Sequence, residues 1–118
     1  HFWNLTEREE TQESAEDKKN HVRDFARDLI FGTLQHRDQL DEWIKKYAQN
    51  WDLHRMSPVD RNILRLALYE MHFNAEVPPI AAINEAIELA KELGSEESAK
   101  FVNGMLDRAK TDVTRPLR

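Results

Sequence analysis

Apolar residues recur along this chain at the three- and four-residue steps of amphipathic helices, and they do so in five separate runs. The first takes Val22, Phe25, Ala26, Leu29 and Ile30 and weakens at Gly32 and Thr33. The second takes Leu40, Trp43, Ile44, Tyr47, Ala48 and Trp51, with Asp38 as its expected N-cap. Ser57-Pro58-Val59-Asp60 is the clearest helix start in the sequence. Its serine can cap, its proline lacks the N–H that would be orphaned in the first turn, and Asp60 sits near the positive end of the helix dipole. The helix that follows has Ile63, Leu64, Ala67, Leu68 and Met71 on one face and Leu66, Tyr69 and Phe73 on another, which predicts a central position in a bundle. Val77-Pro78-Pro79 breaks the chain. A fourth run follows through Ile80, Ile83, Ala86, Ile87, Ala90 and Leu93, and Gly94 is the expected left-handed stop. Ser95 can cap the fifth, whose stripe is Phe101, Val102, Met105, Leu106 and Ala109. With no strand alternation and short connections, the pattern predicts an all-α domain.

Three segments follow from this reading. Residues 1–19 form a polar arm or fraying helix, the remnant of an N-terminal region, because Phe2, Trp3 and Leu5 are followed by a polar run without periodicity. An aromatic cluster so near a chain end, behind a first residue that is not methionine, points to a beginning that is not represented. Residues 20–110 form the helical domain, and residues 111–118 a flexible basic tail.

Composition narrows the function. Of the 118 residues 40% are hydrophobic and 33% charged, the proportions of one globular domain. The net charge of -5 gives no global surface for gripping nucleic acid, so any such site must be local. The longest charge-free apolar stretch, residues 77–83, contains two prolines and falls far short of the roughly 18 residues of a membrane span. No secretory signal is evident, and a cytoplasmic location is expected. The lack of cysteine excludes disulfides, thiolate zinc sites and cysteine nucleophiles.

Candidate chemistry is sparse. His1, His21, His36, His54 and His72 show neither an HExxH pattern nor an i, i+4 pair, so no metal is expected. Gly32, Gly94 and Gly104 are too far apart for a phosphate-cradling loop, and Ser57, Ser95 and Ser98 occur where helix caps explain them. No cofactor and no catalytic residue follow. Asp38, Asp41 and Glu42 near Lys45 and Lys46 read as surface charge pairs. Arg61 and Arg65, on the helix expected at the centre, call for an internal ion pair rather than a ligand site, with an interface arginine as the alternative. Positive charge gathers only near the C-terminus, where Lys100, Arg108, Lys110, Arg115 and Arg118 stand against Asp107 and Asp112. Lys100 beside Phe101 can stack a base and meet a phosphate, although Phe101 also begins the core stripe of its helix.

The runs SPVDRNILRLALYEMHF from Ser57, VPPIAAINEAIELAKELG from Val77 and SEESAKFVNGMLDRA from Ser95 closely resemble the NusB family of bacterial transcription antitermination factors. RDFARDLIFGTLQHRDQLDEWI, upstream, resembles the same family, so the likeness covers roughly residues 20–110. It implies a non-enzymatic, all-α, NusB-like bundle of two small helical subdomains. It also implies pairing with NusE, a ribosomal small-subunit protein, and binding of single-stranded boxA RNA. These steps load an antitermination complex onto RNA polymerase during ribosomal RNA transcription. Carried over by position, Lys100 and Phe101 match the family's lysine-phenylalanine pair near the RNA, Glu97 a nearby modulating acid, and Asp60 an acidic position facing NusE. The chain departs from the family in having nothing that represents its arginine-rich first helix. Standing alone, the stripe around Phe25 and Leu29 then lacks a core partner, which predicts weak RNA binding and a tendency to homodimerise. Two alternatives remain from the resemblance: an RNA-engaging module like those preceding RNA cytosine methyltransferase domains, or a purely structural docking module.

Overall fold

A computed structural model describes the backbone of residues 2–48 and 56–118, and the side chains of residues 15–48 and 56–118. The described residues form five helices: α1 (Phe2–Gln35), α2 (Arg37–Tyr47), α3 (Pro58–Phe73), α4 (Pro79–Leu93) and α5 (Glu96–Lys110). There is no strand among the described residues. Helix α3 packs against all four others, the central position its apolar girth predicts. Ser57 caps it by accepting a hydrogen bond from the Asp60 N–H at 3.0 Å, and Pro58 opens its first turn.

The core is one continuous cluster drawn from α2 to α5. Leu40 and Ile44 of α2, Leu64, Leu68 and Met71 of α3, and Val102 and Leu106 of α5 are fully or almost fully buried. Helix α4 contributes Ala82, Ile83, Ala86 and Ala90, a mostly small stripe that lets its axis come close to its neighbours. A fully buried leucine contributes about 1.5–3 kcal/mol relative to an exposed one, so these seven side chains carry much of the stability.

Several details differ from the sequence pattern. Helix α1 runs unbroken from Phe2, so residues 2–19 are helical in backbone. Residues 15–20 are exposed, and solvated Glu, Asp and Lys sustain a helix by propensity without any apolar stripe. The side chains of Phe2, Trp3 and Leu5, and residues His1, Trp51 and His54, lie outside the described residues. Asp38 does not cap α2; it stands in the first turn, and His36 occupies the cap position. Gly94 has φ -122°, outside the left-handed region. It is needed instead because a Cβ there would come within 3.0 Å of Ser98 and of the Ala90 carbonyl.

The segment 111–118 is tied down rather than free. The Arg115 guanidinium donates to the carbonyls of Met71 at 2.9 Å and Glu70 at 3.0 Å in the last turn of α3 and to that of Val77 in the connection to α4. The Ile80 N–H donates to the Leu117 carbonyl at 3.0 Å. Asp112 accepts from Lys46 Nζ and the Tyr47 hydroxyl, both at 2.9 Å. Those hydrogen bonds hold the Asp112 carboxyl below its usual range, while burial, with Asp112 as acceptor, pushes the Tyr47 phenol up.

Candidate nucleic-acid interface

The predicted site residues fall on two helices. Glu97, Lys100 and Phe101 lie on consecutive turns at the start of α5, where Ser95 accepts from the Ser98 N–H at 3.1 Å and fixes the first turn. Glu97 and Lys100 are exposed; Phe101 is half-buried against the core. Glu96 and Glu97 sit at the positive end of the α5 dipole, which explains them without a ligand. Asp60 is on α3, 8% exposed, with Oδ1 lacking a hydrogen-bond partner among the described residues. That carboxylate has little exposed surface in this structure.

Charge pairing sets Lys100 apart. On α2, α4 and α5, Lys45 pairs with Glu42, Lys46 with Asp112, Lys91 with Glu88 and Lys110 with Asp107. Lys100 has no such partner among the described residues, although Glu97 stands one turn before it. Its ammonium is thus available to an outside anion.

Sequence reasoning gave Gly104 no role, and it lies on the same face. An interior helical glycine costs roughly 1 kcal/mol relative to alanine. The detectable signal was an isolated glycine within a helical pattern.

The remaining polar groups are structural. Arg65 forms a two-pronged bond to Asp41, Nε to Oδ1 at 2.7 Å and Nη2 to Oδ2 at 3.0 Å, which is the internal ion pair its position called for. Asp41 is therefore committed across helices and not to the lysines of its own helix. His36 donates from Nδ1 to the Gly32 carbonyl at 2.8 Å and stacks on Phe73, ring centroids 4.3 Å apart. His72 stacks on Trp43 at 4.1 Å, and burial lowers its pKa. Among the described residues there is no cluster of His, Asp and Glu suited to a metal ion and no helix long and apolar enough to cross a membrane.

The sequence profile of the NusB family matches residues 2–111. The chain belongs to the NusB family. It is 47% identical over 92 residues to the transcription antitermination protein NusB of Myxococcus xanthus, covering 78% of this chain and 66% of that protein. Its likeness to the Bacillus subtilis protein of the same name is 51% over 89 residues, covering 75% and 68%. A solved structure of T. maritima NusB superposes with a TM-score of 0.72 at 44% identity, covering 78% of this chain and 65% of that one. This NusB-family chain thus spans just under two thirds of the Myxococcus protein and 62% of a Desulfitobacterium hafniense relative.

Proposed function

We propose that this chain acts in transcription antitermination by pairing with NusE and binding single-stranded boxA RNA, so that an antitermination complex assembles on RNA polymerase during ribosomal RNA transcription. The reading assigns it no catalytic step and places it in the cytoplasm. The observation that carries it is the α5 surface, where Lys100, exposed and without an ion-pair partner among the described residues, is followed directly by the half-buried Phe101. Such a pair serves a phosphate and a stacked base together. The likeness to proteins named transcription antitermination protein NusB supports the same reading. An acidic chain with one local cation binds RNA modestly by itself, and NusE supplies affinity by completing a composite surface. Homodimerisation through Ile30, Phe31 and Leu34 of α1, all more than half exposed, belongs to this reading of the isolated chain.

The test is fluorescence anisotropy of a labelled boxA-like RNA titrated with this chain, with and without NusE, at two salt concentrations. Binding is expected to tighten with NusE and weaken with salt. Lys100→Ala should lower the slope against log salt by about 0.7. Absence of binding in both conditions, or unchanged affinity and slope for Lys100→Ala, overturns the assignment of this surface. Light scattering on the same protein should return the mass of a dimer, and a monomer at all concentrations would dismiss the self-association.

A further inference from the structure

Helix α5 carries a glycine that nothing among the described residues demands. Gly104 lies in mid-helix, its φ is not positive, and a Cβ built on it meets no atom within 4 Å. The other two glycines differ: a side chain at Gly32 would overlap the Tyr69 ring, and one at Gly94 would crowd Ser98 and the Ala90 carbonyl. At Gly104 an alanine would fit freely and strengthen the helix. What the missing side chain leaves is a bare patch of helix backbone on the outer face of α5, which permits another backbone to come into direct contact. Lys100 and the half-buried Phe101 lie one turn before it, Asp107 and Arg108 one turn after it, and Asn103 alongside; Lys100, Asn103, Asp107 and Arg108 are exposed.

We infer that Gly104 is where the sugar-phosphate backbone of a bound single strand of RNA comes closest to α5, flanked by the Lys100 ammonium and the Asn103 amide. The inference rests on the RNA reading above and extends it to a residue with no charge or ring of its own. Three observations favour RNA over a protein partner. The exposed side chains around Gly104, those of Lys100, Asn103, Asp107 and Arg108, are all polar, and the nearest ring, Phe101, is half-buried against the core, whereas the centre of a protein interface is apolar and often aromatic. Lys100 and Asn103 make no polar contact with another described residue, so their donors are available to phosphate oxygens and 2′-hydroxyls. Asp107, the carboxylate on this face, is already paired with Lys110 at 3.0 Å, which reduces its repulsion of a phosphate.

The experiment measures the affinity of fluorescein-labelled boxA-like RNA and of NusE for the parent chain, Gly104→Ala and Gly104→Gln, with a thermal melt of each. Gly104→Ala should raise the melting midpoint and weaken RNA binding about tenfold, and the longer Gly104→Gln about a hundredfold, with NusE affinity unchanged. Parent-like RNA binding by both variants overturns the inference while leaving the antitermination reading intact. So does a loss confined to NusE, which would make Gly104 a protein contact, or a fall in melting midpoint, which would give the glycine an internal role. A parent chain that binds no RNA defeats the broader reading, and this one with it.

Discussion

Helices α3 to α5 and helix α1 all carry an apolar stripe, but they satisfy it differently. In α3 and α5 the stripe residues Leu64, Leu68, Met71, Val102 and Leu106 are within one percent of complete burial. In α1, Val22, Ile30, Phe31 and Leu34 are each more than half exposed. Its packing is concentrated near its end, where Gly32 meets Tyr69 and a groove lined by Ile30, Leu34, Arg37, Arg65 and Leu66 runs between α1 and α3. An amphipathic pattern therefore records a helix's need for a partner surface, and the amount of that surface present in the chain differs between the two regions.

The sharpest way to break this comparison is to delete the same side chain in each. Leu64→Ala should cost about 2–5 kcal/mol, since it opens a cavity in a filled core, whereas Leu34→Ala should stay within about 0.5 kcal/mol. Equal losses in urea denaturation would mean that α1 is as well packed in solution as α3. A smaller effect tests the one place where α1 is closely fitted. Gly32→Ala forces the Tyr69 ring aside, and overpacking should outweigh the helix gain by about 1 kcal/mol. A raised thermal midpoint would show that the α1–α3 crossing is not held there.

The smallest effect reads the packed unit through pH. Burial raises the Glu70 carboxyl from 4.5 to about 7, and the charge of Glu85 on α4 adds to the shift. The folded chain holds a proton that the unfolded chain releases, so this contribution is full below pH 4.5 and is lost as pH rises through about 7. Glu70→Gln should remove that decline, adding on the order of 1 kcal/mol at pH 8 and little at pH 4. Stability curves that stay parallel across this range would show that Glu70 is solvated in the folded state.

What the sequence made legible follows the same division. The starts of α3 and α5 were readable because Ser57 and Ser95 each satisfy a backbone N–H three residues on, a purely local event. The centrality of α3 was readable because its apolar residues run around most of its circumference. The Arg65 pair was readable as a need, but its partner Asp41, 24 residues earlier, was not, since spacing within one helix pointed Asp41 toward lysines. Residues 2–19 were legible only as an arm or a fraying helix, because propensity without an apolar stripe sustains the helix there. The Gly94 reading failed because steric crowding and a left-handed turn select the same residue. At the candidate site, Lys100 and Phe101 came from a family resemblance and from a local gathering of charge. Lys100's lack of a partner and the open space above Gly104 appear only once the helices are assembled.

The three carbonyls gathered by Arg115 also bear on the order of assembly. Helices α3, α4 and α5 follow one another through short turns, so they can meet as soon as each is made. The bonds from Arg115 span 38 to 45 residues and close the corner between α3 and α4 from outside. During synthesis that corner stays open until Arg115 itself has emerged. The segment beyond α5 is thus a latch that closes on a bundle already formed.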